Sequence, residues 1–210
     1  MRVKFLGDRA DQWKWDQLRT TVNKRTLLYS GMFSDFCEDN SSPSGVTKLA
    51  TETREYFFDA FERFIVSDVT RESIVHRRPY EFLVRTQYFD ELRDILETHR
   101  GKKSRMDLQI FLDPNTGIEP NWGCTEDHVP LLELLSLLDG LSNKEELIIY
   151  QHQGRVANTE SDFWLRKYFL ERTLVPKLKS KITISLIDAP PGIPCYFILF
   201  KRDEQWNRER

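Results

Sequence analysis

Cysteine is scarce in this chain of 210 residues. Its three cysteines, Cys37, Cys124 and Cys195, are odd in number and far apart. They make neither a disulfide framework nor a zinc-ligand spacing, so a reduced, cytoplasmic protein with no metal site is expected. Long apolar runs are missing too. No stretch approaches the roughly 18 apolar residues that a membrane helix needs, so no membrane association is expected. The opening MRVKFLGDRADQWKW has neither the apolar core nor the small-residue cleavage site of a signal peptide. There is no internal repeat and no low-complexity tract. Nor is there an excess of one charge. Lys and Arg number 31, Asp and Glu 33, and the formal net charge is -2. That excludes a histone-like, globally basic binder of nucleic acid, but leaves room for one basic groove.

What the chain does contain is an alternation of apolar runs and amphipathic stretches. RVKFLG, RTLLYSGMF (Arg25 to Phe33), YEFLVR (Tyr80 to Arg85), DLQIFLD (Asp107 to Asp113) and ELIIYQH (Glu146 to His152) read as strands. The continuous apolar runs among them suit strands covered on both faces. KITISLIDA and CYFILFKR, joined by PPGIP, read as an antiparallel pair. Between these lie helical patterns. One starts after Asp11 as N-cap; others run over Thr47 to Asp68, Thr86 to His99, Val129 to Gly140 and Glu160 to Leu178, the last broken or bent by Pro176. Such alternation predicts an α/β fold, a single domain over 1–210, with a mostly parallel central sheet, flanking helices and a C-terminal antiparallel strand pair. CEDNSSPSG (Cys37 to Gly45) reads as a loop.

In open α/β sheets, ligands bind outside the carboxyl ends of the strands. If the strands run parallel, one rim gathers Asp8, Asp113, Asn115, Gln151, His152 and Arg155. Acid, amide, histidine and arginine together suit a site, although polar residues also cap strands without any function. DPNTG carries the most information. Pro114 fixes its own φ and keeps Asp113 extended, and Gly117 permits a sharp turn or a close ligand approach. A carboxylate held this way could orient water, accept a proton or steady a positive charge. The plainer reading is an Asx turn that ends a strand. Lys14 and Asp16, in DQWKWDQLR, could act in a site or bind phosphate, while Trp13 and Trp15 pack. Trp122 could stack on a base or pack on its loop. Arg77, Arg78, Arg100, Lys102 and Lys103 lie in two basic clusters that could contact phosphate or merely face solvent.

Three resemblances attach to these motifs. LDPNTG resembles the Asp/Asn-Pro-Pro-aromatic motif of Rossmann-like methyltransferases that act on nucleobase nitrogens, without the second Pro and the aromatic. The C-terminal strand pair also looks like that fold, while FLGDRAD holds only Gly7 where a Gly-rich cofactor loop would stand. This resemblance implies a Rossmann-like sheet and S-adenosylmethionine as cofactor. DPNTG is also similar to the Asp-Pro-x-x-Gly of the uracil-DNA glycosylase superfamily. That likeness implies Asp113 for the water and His152 for the base carbonyl, with Asn115 in place of the usual aromatic and HQGR in place of His-Pro-Ser. GDRADQWKWDQLR, FLDPNTGIEP and IIYQHQGR together resemble a family of small bacterial and phage proteins without an assigned chemistry.

The resulting expectation is a DNA enzyme, with no cofactor, that hydrolyses the base–sugar bond of a flipped base, in a setting such as phage defence. Asp113, His152 and Asp8 would be catalytic. Asn115, Gly117, Trp122, Gln151, Arg155 and Lys14 would bind substrate. The alternatives are an S-adenosylmethionine-dependent nucleic-acid methyltransferase and a non-catalytic Rossmann-like module for nucleotide or protein.

Overall fold

A computed structural model describes residues 9–22, 25–33, 51–65, 73–78, 80, 82–102, 107–120, 123–153, 159–179 and 181–203. The expected first strand, the Cys37 to Gly45 loop, and Asp8, Lys103, Trp122 and Arg155 lie outside these residues, as does the side chain of Lys102.

The order of elements is α1 (Arg9–Val22), β1 (Thr26–Gly31), α2 (Thr51–Phe64), β2 (Ser73–His76), α3 (Arg85–Lys102), β3 (Leu108–Asp113), β4 (Gly117–Ile118), β5 (His128–Val129), α4 (Leu131–Gly140), β6 (Glu145–His152), α5 (Thr159–Thr173), β7 (Ile182–Asp188) and β8 (Cys195–Arg202). Six strands form one sheet in the order β2-β1-β3-β6-β8-β7, and β4 pairs with β5 apart from it. β2, β1, β3 and β6 run parallel; β8 is antiparallel to both β6 and β7. This is the expected α/β architecture.

The strands form here because both faces are covered. β1 and β3 are buried at every position. With side chains alternating along each strand, Leu28, Ile110, Leu112, Leu147 and Ile149 meet the apolar faces of α3, α4 and α5. Leu27, Tyr29, Phe111, Ile148 and Phe197 meet Trp13, Trp15, Leu18 and Val22 of α1, with Phe58 and Phe61 of α2, on the other.

Two local expectations change. The outer strand is SIVH, whose β-branched Ile74 and Val75 pair beside β1, and not YEFLVR. Phe82–Val84 forms a 3-10 turn that runs into α3, leaving Leu83 84% exposed. Asp11 does not cap α1, which begins at Arg9; it sits in the first turn, and its carboxylate accepts from the Trp15 indole N–H at 3.1 Å. Pro176 stops α5, as expected of a residue that cannot donate to the helix, and a 3-10 turn (Val175–Lys177) follows.

Candidate functional site

The chain leaves β1 outward to β2, then returns to β3 on the other side of β1. The strand order therefore reverses between β1 and β3, and their carboxyl ends border the crevice where such sheets bind ligands. Gly31 and Asp113 are opposite each other there, and the Met32 N–H donates to the Asp113 carbonyl at 3.1 Å.

Asp113 is 1% exposed. Its Oδ2 accepts from Lys14 Nζ at 2.7 Å and from the Tyr29 hydroxyl at 2.6 Å. Lys14 reaches it from α1 and also meets Asp11 Oδ1 at 2.5 Å. The ammonium lies 4.9 Å from the Trp15 ring and 5.7 Å from the Tyr150 ring, so aromatic faces wall the site. Burial alone would pull the Lys14 pKa down. The charges of Asp113 and Asp11 and hydrogen bonds to both outweigh it, and the pKa is raised. Tyr29 is raised well above its ordinary value by burial first and the Asp113 charge second, so its hydroxyl stays a donor. The Asp16 side chain is exposed beside Arg19.

β6 brings its end to the same edge of the sheet. The Tyr150 hydroxyl lies 3.2 Å from His152 Nε2, and His152 Nδ1 lies 3.3 Å from the Pro194 carbonyl. A carbonyl can only accept, so neutral His152 carries its proton on Nδ1 and takes one from Tyr150 at Nε2. Tyr150 thus stands between His152 and the Lys14–Asp113 pair.

Gln151 points elsewhere. Its Oε1 accepts from the Ile118 N–H at 2.9 Å, and its Nε2 donates to the Thr116 and His152 carbonyls at 3.0 and 2.9 Å. These bonds buckle the turn after Asp113 onto β6. Gly117 serves that turn, with φ of 127° and a Cβ position that would fall 2.2 Å from Gln151 Oε1. Asn115 donates to Asp127 Oδ1 at 2.7 Å, inside the same loop. Among the three described residues of the DPNTG and YQH motifs expected to bind substrate, the polar atoms therefore hold the loop.

The three described basic residues are also engaged. Arg77 pairs with Asp59 at 2.7 Å and with Glu62. Arg78 meets Glu91 at 3.1 Å and donates to Gln87. Arg100 grips both oxygens of Glu145 at 2.8 and 2.6 Å and the Gly140 carbonyl at 2.8 Å. A guanidinium that spends its fork on a carboxylate has few donors left for phosphate. Arg100 also joins the amino end of β6, opposite Asp113.

Sequence reasoning passed over Tyr29, Tyr150 and Asp11 as parts of the site. The signal for Asp11 and Lys14 was their i,i+3 spacing on a helix followed by a strand. Tyr29 inside an apolar run carried none. Among the described residues no group of three or more His, Cys, Asp or Glu side chains is placed to hold a metal ion. Among them too, no helix is long and apolar enough to cross a membrane.

No family model matches this sequence, and no curated protein does. Nine chains of solved structures match this one, two of them as follows. One is a protein from Streptococcus mutans assigned provisionally as a methyltransferase, in complex with SAH; it is 11% identical, with a TM-score of 0.39, covering 93% of this chain and 99% of that one. The other is an rRNA methylase from Streptococcus thermophilus, 12% identical, with a TM-score of 0.38, covering 93% and 98%. At such values the likeness carries no argument about chemistry.

Proposed function

We propose that this chain is a Rossmann-like enzyme of the methyltransferase type, with S-adenosylmethionine bound across the carboxyl ends of β1 and β3 and a nucleobase nitrogen as the methyl acceptor. The observation that carries this is the position of LDPNTG. It leaves the sheet at the strand-order reversal, next to the end of β1, with its turn fixed by Gln151. The reversed β8 between β6 and β7 agrees with the sheet that the methyltransferase resemblance implies. The cofactor, when bound, supplies an electrophilic methyl group. Transfer to a nitrogen lone pair asks the protein mainly to hold two reactants in line.

The geometry of Asp113 favours this over glycosidic hydrolysis. A carboxylate that orients water needs an open oxygen facing the sugar. Asp113 is 1% exposed, and its Oδ2 already accepts from Lys14 and Tyr29. Its role here is to hold α1 to β3 and shape the crevice.

The fit to the cofactor is partial. The crevice is in the right place, and Tyr150 and Trp15 offer aromatic faces near it. Yet β2 ends at His76 and is followed by Arg77 and Arg78, with no carboxylate among the three for ribose hydroxyls, and Lys14 already fills the place between Asp11 and Asp113. The saturation of Asp113 by Lys14 also favours a second reading, a non-catalytic nucleoside-binding module. Calorimetric titration with S-adenosylmethionine and with its demethylated product tests both. Saturable binding of the two, with labelled methyl appearing in nucleic acid, is the expected result. Binding without transfer selects the module. No binding at millimolar ligand overturns the proposal, and release of free base from DNA would restore hydrolysis.

A further inference from the structure

On the opposite face of β1 from Tyr29, a second polar cluster is wholly buried. Ser30 and His76 are 0% exposed and Tyr88 is 1% exposed. Ser30 Oγ lies 2.9 Å from His76 Nδ1 and 2.7 Å from the Tyr88 hydroxyl. His76 Nε2 has no hydrogen-bond partner; Glu91 Oε1 stands 3.7 Å from it. Arg78 also faces this group, pairing with Glu91 at 3.1 Å. The His76 and Tyr88 rings stand 4.3 Å apart. Three elements meet here: Ser30 from β1, His76 from β2, and Tyr88 and Glu91 from α3. Full burial of Ser30 rules out a nucleophile that meets substrate as the protein stands.

The bonds can be given directions. A lone pair on Nε2 would face the Glu91 carboxylate, whereas an N–H there is attracted to it. Glu91 therefore selects the tautomer with its proton on Nε2. Nδ1 then accepts from the Ser30 hydroxyl, and Ser30 Oγ accepts from the Tyr88 hydroxyl, so both hydroxyl protons have an acceptor. Protonating His76 reverses this. Nδ1–H must then donate to Ser30, so Nδ1 no longer accepts and one of the two buried hydroxyl protons is left without an acceptor: that of Ser30, or that of Tyr88 if Ser30 turns its proton toward it.

We propose that Ser30, His76, Tyr88 and Glu91 form an acid-sensitive lock that holds the first turns of α3 against the β1–β2 edge. Neutral His76 closes the lock; a proton on His76 opens it. Burial, and then the nearby Arg78 charge, lower the pKa of His76 to about 4, so the closed form is held at neutral pH. The folded value lies below the ordinary one of about 6.5, so the stabilisation is full above that value and is lost as pH falls from it toward 4. Tyr88 is raised by burial, is lowered by its bond to Ser30, and also feels the charge of Asp113. The lock thus ends within electrostatic reach of the crevice, but it does not depend on what binds there.

The test is hydrogen exchange on the full chain, with no ligand, between pH 7 and pH 5. Corrected for intrinsic exchange, protection in the first turns of α3 is expected to fall about tenfold or more in the parent protein. In His76→Asn the amide oxygen can accept from Ser30 but gains no proton, and protection should stay level. Level protection in the parent, or the same fall in His76→Asn, overturns the lock. If the variant does not fold, nitrogen NMR of the parent decides. His76 with its proton on Nε2 at pH 7 supports the lock; a proton on Nδ1 there overturns it.

Discussion

Replacing Lys14 by Met keeps most of the side-chain volume and removes the charge between Asp11 and Asp113. In the parent, Lys14 Nζ touches both carboxylates, at 2.5 and 2.7 Å, and is 2% exposed, while Asp11 and Asp113 are 7% and 1% exposed. Water cannot take the place of the ammonium without opening α1 from the sheet. Breaking a buried pair by removing one partner costs about 3–5 kcal/mol, because a charge is left uncompensated in a poor solvent. Here two carboxylates are left facing the gap, so the upper half of that range is expected. Urea unfolding followed by circular dichroism measures it directly, provided the denaturant slope is unchanged. The second variant is Lys14→Met with Asp113→Asn. A neutral amide still accepts from Tyr29 and no longer needs a cation, so more than half of the loss should return as coupling between the sites. A loss below about 1 kcal/mol in Lys14→Met would refute the reasoning, since that is the scale of an exposed pair. The pH dependence has a definite sign. The folded pKa of Lys14 is raised, so its stabilisation is complete below the unfolded value of 10.5 and is lost as pH rises through the folded one. Lys14→Met should be insensitive to this alkaline limb.

Two further substitutions separate loop-holding and fold-holding roles from ligand binding. Gly117→Ala places a methyl group 2.2 Å from the Gln151 amide at φ of 127°, and should cost about 1–3 kcal/mol in thermal or urea unfolding; an unchanged midpoint would mean that the turn is not fixed by Gln151. Arg100→Ala leaves Glu145, whose side chain is 4% exposed, without its fork; with the arginine a third exposed, a loss of about 1–2 kcal/mol is expected, and retention on a DNA column should not change. Weaker retention with unchanged stability would return Arg100 to phosphate binding.

Much of the fold was legible because the strands are buried on both faces. DLQIFLD and ELIIYQH are unbroken apolar runs, and only a sheet covered on two sides keeps β3 and β6 so dry. The PPGIP connection marked the turn between β7 and β8 for a different reason, since proline and glycine interrupt a ladder wherever they stand. YEFLVR misled because its apolar residues alternate well enough for a strand. The decision was tertiary: SIVH pairs with Leu27 to Ser30, and Leu83 remains at the surface. A pattern within one segment does not contain that competition.

The place of Asp113 at a strand end was legible, and the partners of its carboxylate were not. Asp113 stands at the end of its strand because Pro114 follows it, and that much is local. What the carboxylate does depends on α1, 99 residues away along the chain, which lowers Lys14 onto it, and on Tyr29, which looks like any other aromatic in an apolar strand. The same holds for Arg77 and Arg78. In sequence they are a basic cluster; in space each meets acids on α2 or α3 that arrive from other segments. Charge read along the chain counts donors but not the acceptors that fold onto them. A carboxylate and a lysine that seemed free for substrate are here each other's partners. The free energy of that burial is best accounted for by the crevice it shapes, because an isolated buried pair adds little to stability. If the pair served stability alone, an apolar pair of equal volume would do as well. Lys14→Met with Asp113→Leu, and with Asp11→Asn so that no carboxylate is left without its cation, should then fold with near-parent stability and still bind S-adenosylmethionine. If the crevice needs the pair, the same protein should fold and lose the ligand.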